Sequence, residues 1–154
     1  MTIAVVIHIL SVVVWVGGMF FAYMCLRPVA GTLLEPPLRL PLWSQTFRRF
    51  FVWVWLAVIL LPVSGHAMIM MAGGINTVGV HVHIMMVSGY LMIVLFLHVF
   101  FAPYKRLKYA ISVSDWPEAG RNLNQIRRIV GINILLGLLT ITVAASGRHF
   151  FLFR

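Results

Sequence analysis

Long apolar runs dominate the chain, and its charged residues are confined to the stretches between them. Residues 1 to 26 hold no Asp, Glu, Lys or Arg, and the same is true of residues 50 to 104 and 129 to 147. A bilayer core takes roughly 20 residues of apolar helix. The first and third runs each suit one span. The second is too long for one, and AGGINTVG, residues 72 to 79, breaks it near its middle. That pattern predicts two spans and a tight hairpin. The whole reads as an all-α integral membrane four-helix bundle. It is a single domain over residues 1–154, with helices at about 3–26, 44–72, 78–103 and 124–147.

Local signals sharpen these limits. Arg27-Pro28 marks the end of the first helix. Pro28, Pro36, Pro37 and Pro41 predict an irregular loop after it, because each removes a backbone donor. Trp43 suits the membrane interface. Pro62 lies inside the second helix and predicts a bend one turn before His66. In SDWPEAG, residues 114 to 120, Asp115 and Glu118 have the spacing of a capping box, with Pro117 in the first turn. A short helix there would lead into the fourth span.

Composition confirms the class. Apolar types make up 62% of the chain, against 12 Lys and Arg and 3 Asp and Glu. A soluble domain carries about a quarter charged residues. Ten of the 12 basic residues flank or occupy the loops between the first and second and the third and fourth helices. The hairpin has none, and Arg148 and Arg154 lie in the tail. This asymmetry predicts that both termini and the hairpin face outward. The net charge of +9 therefore sets topology and meets the lipid bilayer rather than nucleic acid. The first apolar run lacks a basic leader and exceeds the core of a signal peptide, so it reads as a retained helix. Cys25 is the only cysteine, which excludes an internal disulfide and suggests a small packing residue.

In lipid, small and polar residues mark packed helix faces. His8, Ser11, Trp15, Gly18, Ala22 and Cys25 form such a stripe on the first helix. Asn133, Gly137, Thr140, Ala144 and Gly147 form one on the fourth. Trp55, Pro62 and His66 lie roughly along one side of the second. On the third, His83, Val87, Tyr90 and Val94 share a face, and His81, Met85, Ser88 and Met92 share a nearly opposite one. Residues two apart lie ~200° apart around a helix, so only one of His81 and His83 can point inward.

Antiparallel helices place His8, His66, His81, His83 and His149 in one outer layer, with His98 alone on the other side. Intramembrane ionisable residues are rare and usually face the bundle interior. Two chemistries suit such a layer. Haem b needs axial histidines from facing helices. His8 and His83 are the first choice, with His66 or His81 as substitutes. Trp15, Gly17 and Gly18 would flank its slot, and Arg148 would pair with its propionates. The absence of CxxCH excludes covalent haem. Copper is the second chemistry, because thioethers favour Cu(I) and imidazole suits either copper state. Met68, Met70, Met71, Met85 and Met86 adjoin His66, His81 and His83. Zinc suits the layer less, since no thiol or carboxylate joins it. Hydrolysis finds no support, because Glu35, Asp115 and Glu118 all lie in the basic loops. Each signal also has a bland structural reading. A single intramembrane histidine is as often a hydrogen-bond partner between helices. Methionine is a common filler, and Arg148 and His149 suit interfacial anchoring. Tyr90 could bond His98. A third reading is thus an accessory subunit without a cofactor.

The segment HILSVVVWVGGMFF, residues 8 to 21, resembles the first helix of the copper-resistance D (CopD) superfamily. NQIRRIVGINILLGLLTITVAASGR, residues 124 to 148, resembles the closing helix of its small stand-alone members. The resemblance implies a four-helix unit of the bacterial inner membrane, associated with copper uptake or with haem. The related HemJ-type protoporphyrinogen oxidases share a first-helix histidine followed by a tryptophan and a small residue, a pattern met here by His8, Trp15 and Gly18. They carry b-haem and oxidise a tetrapyrrole. This chain has LRPVAG where they have Leu-Pro-Arg, and it lacks their third-helix lysine. The leading expectation is a small b-type cytochrome exchanging electrons with quinone or a tetrapyrrole. A copper-binding or copper-import protein is the alternative. A homo-oligomer or a larger membrane complex would suit either.

Overall fold

The computed structural model describes residues 1–147. Arg148, the expected propionate partner, and His149 lie outside the described residues. Among those described, every regular element is helical: α1 (Thr2–Phe21), a π turn (Ala22–Leu26), α2 (Arg27–Leu33), α3 (Pro36–Met71), α4 (Val80–Phe101), α5 (Pro103–Ser112) and α6 (Trp116–Ser146). Joined end to end they give four rods long and apolar enough to span a membrane: Thr2–Leu33, Pro36–Met71, Val80–Ser112 and Trp116–Ser146. At ~1.5 Å per residue, even the shortest exceeds a hydrocarbon core of about 30 Å. The four-helix membrane bundle read from the charge-free runs is the observed architecture.

The ends differ from expectation. The first helix does not stop at Arg27-Pro28. It passes through the π turn, where the Arg27 N–H donates to the Ala22 carbonyl five residues back, and continues as α2. The extra residue rotates the faces of α2 by about 100° relative to those of α1. The predicted stripe is broken there, and Cys25 is exposed instead of packed. The proline-rich segment is also mostly helical. Pro36 and Pro37 occupy the first turn of α3, where a missing N–H costs nothing. The chain is extended only around Leu34 and Glu35. Trp43 sits inside the bundle, 3% exposed. The bend at Ala102 separates α4 from α5. Asp115 caps α6 by accepting from the Glu118 N–H at 3.0 Å. The Glu118 carboxylate does not reach back; it accepts from Arg121 and from Asn122, both at 2.8 Å.

Packing obeys the rule for lipid rather than water. The exterior carries a belt of large apolar side chains, while Ser11, Ser64, Ser88, Asn122 and Asn133 are buried. α1 lies closely on α3, and α4 with α5 lies closely on α6. Gly18 makes the first approach close, because a side chain there would meet the Phe50 ring. Gly137 does the same at the centre, where a Cβ would stand 2.9 Å from Val16 and 3.3 Å from Met92. Ser88 shares a 2.7 Å hydrogen bond with Thr140, and Asn133 donates to the Met92 carbonyl at 3.3 Å. The stripe read from Asn133, Gly137 and Gly147 is buried, whereas Ala144 is exposed. Between α3 and α4 the space is filled by rings. Phe51, Trp55, Phe96, Phe100 and Tyr104 meet edge to face at centroid separations of 4.9–5.9 Å. Trp55 is only half-buried, and Phe47, Phe51 and Val54 form the inward side of α3 instead of the side shared by Trp55 and His66.

Candidate functional site

The hairpin closes one end of the bundle. Gly73 and Gly74 take φ of 99° and 103°, where a side chain would be strained. Thr77 fastens the turn by donating to the Ala72 and Gly74 carbonyls. Around this turn the fold gathers His8, His66, His81 and His83.

His8 points from α1 into α3. Its Nδ1 lies 2.9 Å from the Ser64 hydroxyl. That hydroxyl has one proton, and the Leu60 carbonyl 2.6 Å away receives it. Ser64 can then only accept, so His8 Nδ1–H is the donor. A neutral imidazole with its proton on Nδ1 leaves a lone pair on Nε2. His66 obeys the same logic, since its Nδ1 lies 2.8 Å from the Pro62 carbonyl, which can only accept. The Tyr90 hydroxyl stands 3.5 Å from His66 Nε2, at the limit of a hydrogen bond. His83 Nδ1 lies 3.3 Å from the Gly79 carbonyl. In all three rings Nδ1 is held by an oxygen, so a neutral ring would keep its lone pair on Nε2. Metal-binding histidines are commonly oriented this way, with the second nitrogen donating to an oxygen.

His81 occupies the α4–α6 seam. A Cβ on Gly147 would come within 2.5 Å of its ring, so the missing side chain makes room for the imidazole. This settles which face of α4 is inward. Ser88 and Met92 are buried below His81, whereas Val87, Tyr90 and Val94 below His83 are 45–67% exposed. The choice of His83 as the inward histidine is corrected accordingly. Tyr90 meets His66 on the neighbouring helix and does not bond His98, which is exposed near the far end of α4.

The residues named for haem do not line one slot. His8 faces α3, and the face of α4 that carries His83 turns outward. Trp15, 2% exposed, packs edge-on against Phe96 at 6.2 Å. Gly18 is covered by Phe50, and Gly17 faces open space. Haem b is thus not supported by this arrangement. Nor do the histidines converge into a chelate. Among the described residues no three His, Cys, Asp or Glu side chains are grouped to hold a metal ion. What exists is four imidazoles around the hairpin, with thioethers near them in the sequence. Met68, Met85 and Met86 are half-buried, and Met70 and Met71 are exposed. Such a donor set is soft and uncharged, which suits Cu(I) better than hard cations.

Ser64 and Tyr90 are the site residues that the spacing of histidines does not reveal. Ser64 stands two positions before His66, on the other side of α3. Its only signal is that of a small polar residue in an apolar run.

No curated protein and no solved structure matches the chain. The family model described as copper resistance protein D matches residues 44–146, which takes in most of α3 and all of α4, α5 and α6 and leaves out the helix that carries His8. The chain is a multi-pass membrane protein that belongs to the CopD family.

Proposed function

We propose that this protein handles copper, taking Cu(I) as cargo at the hairpin end of the bundle. His8, His66, His81 and His83 supply imidazoles, and Met68, Met85 and Met86 supply thioethers. The observation that carries the reading is the shared orientation of His8, His66 and His83, each with Nδ1 against an oxygen and Nε2 left as the nitrogen for a metal. The family description points the same way. Separate donors, rather than a closed chelate, favour passing an ion along over storing it. Two-coordinate soft ions exchange readily between such ligands. The charge asymmetry favours an orientation in which the hairpin faces out of a bacterial inner membrane and the arginine-rich ends face the cytoplasm.

The test is an equilibrium titration of detergent-purified protein with Cu(I) against a chromophoric chelator. Stoichiometric binding is expected, weakened about tenfold or more when His66 and His83 are both changed to Ala. Binding that those changes leave intact would overturn the assignment. A visible spectrum of the same sample reads haem independently.

A further inference from the structure

The opposite end of the bundle holds a second cluster, unrelated to copper. Arg27 begins α2, Arg39 lies in the second turn of α3, and Arg127 projects from α6. The Arg27 guanidinium lies over the Tyr23 ring, 4.8 Å from its centroid, and that of Arg127 lies over Trp43 at 5.6 Å. Arg127 stands in the repulsive field of both Arg27 and Arg39. All three are half-buried. Like charges drawn together out of water are unfavourable unless something negative joins them.

No side chain does so. The chain holds three acids. Asp115 caps α6, and Glu118 pairs with Arg121, the one ion pair among the described residues. Glu35 is exposed and makes no ion pair among those residues. The Nε atoms of Arg39 and Arg127 are both buried without an acceptor. The remaining donors reach only neutral oxygens: Arg39 Nη1 meets the Gly31 carbonyl at 3.4 Å, and Arg127 Nη1 meets Asn124 Oδ1 at 3.3 Å. Beside Arg27, Arg127 and Trp43 runs a narrow cleft of about 20 Å³ with an apolar wall.

We propose that Arg27, Arg39 and Arg127 form a binding site for a phosphate-type anion. A planar guanidinium fork matches phosphate oxygens in pairs, and among the described residues the Nη groups of the three make only those two hydrogen bonds. A phospholipid headgroup and free inorganic phosphate share this chemistry, so the experiment has two arms.

In the first arm, protein released from vesicles of equal phosphatidylglycerol and phosphatidylcholine is weighed by native mass spectrometry, and the retained lipid is counted. In the second, delipidated protein is melted in inorganic phosphate and in chloride at equal ionic strength. Each arm is run on the wild type, on Arg39→Gln, on Arg127→Gln, and on Arg49→Gln, an exposed arginine outside the cleft. Preferential retention of phosphatidylglycerol, reduced about tenfold by either cluster change and untouched by Arg49→Gln, is the expected result. Protection by phosphate alone would support the site with free phosphate as its occupant. Absence of both effects in the wild type would overturn the proposal, and that reading does not depend on any variant folding. Equal losses in Arg49→Gln and the cluster variants would overturn it too, since diffuse charge would then suffice.

Discussion

Replacing Ser64 by Ala removes the acceptor for His8 and little else. Ser64 is 4% exposed, and its Oγ both donates to the Leu60 carbonyl and accepts from His8 Nδ1. Losing the bond within α3 costs little, because the carbonyl keeps its backbone partner. The loss that counts is the link between α1 and α3. Hydrogen bonds between membrane helices average ~0.6 kcal/mol and reach ~1.7 kcal/mol. His8 is half-buried, so its Nδ1–H finds lipid or packed side chains before water. A destabilisation of about 1 kcal/mol is therefore expected, towards the upper part of that range. The second consequence concerns the ring. Without Ser64, Nδ1 and Nε2 compete for the proton and the imidazole is free to turn. Loss of such an orienting partner weakens metal binding by ~10–100-fold where the histidine is a ligand. Reversible unfolding in mixed micelles measures the first effect and Cu(I) titration the second. Thr142→Ala is the control, since that exposed hydroxyl bonds only the Leu138 carbonyl of its own helix. A double-mutant cycle with His8→Ala isolates the pair. A coupling below ~0.3 kcal/mol would refute the hydrogen-bond assignment, because additivity of distant sites holds only to about that limit. A normal coupling with unchanged copper affinity would leave the fold intact and remove His8 from the site.

Single contacts elsewhere in the bundle give further expected outcomes. Gly137→Val drives a side chain into Val16 and Met92, and overpacking of this kind costs about 1–3 kcal/mol in the same unfolding assay. Asn133→Leu should cost less than ~1 kcal/mol, because the wild-type amide already leaves its buried oxygen unpaired and gains only one long bond. His98→Ala should leave Cu(I) affinity unchanged while His83→Ala lowers it, since His98 lies at the basic end of α4. With Cys25 changed to Ser, a cysteine at Asn76 should react with a membrane-impermeant maleimide from outside, and one at Ser114 only after lysis. The reverse pattern would invert the proposed orientation.

Much of the fold is legible in charge alone. A run without Asp, Glu, Lys or Arg can stay in lipid, and AGGINTVG is too polar and too glycine-rich to continue a span. Those two facts give four helices and a hairpin. Helix ends are harder to read, because proline has opposite meanings by position. Pro36 and Pro37 start a helix, and Pro28 comes after a π turn, whereas the same residues scattered over a loop look like breakers. The π turn also hides the exposure of Cys25, since a change of register has no marker in a stripe of small residues. On α4 the deciding signal is present in Ser88. A hydroxyl in an apolar helix needs a partner, and Thr140 supplies one. The spacing from His83 favours the wrong face because Val87, Tyr90 and Val94 suit lipid as well as a core. The state of each histidine is beyond the sequence. It depends on whether Nδ1 meets Ser64 or a backbone carbonyl, and that is set by three-dimensional approach rather than by spacing.

The most direct test is copper-edge X-ray absorption on protein loaded with one equivalent of Cu(I) in mild detergent. Imidazole scattering together with a thioether sulfur shell, the imidazole part falling when His66 and His83 are replaced, is the result expected of a His and Met site at the hairpin. A shell dominated by the thiolate of Cys25, exposed towards the other end of the first rod, with no imidazole component, would contradict it.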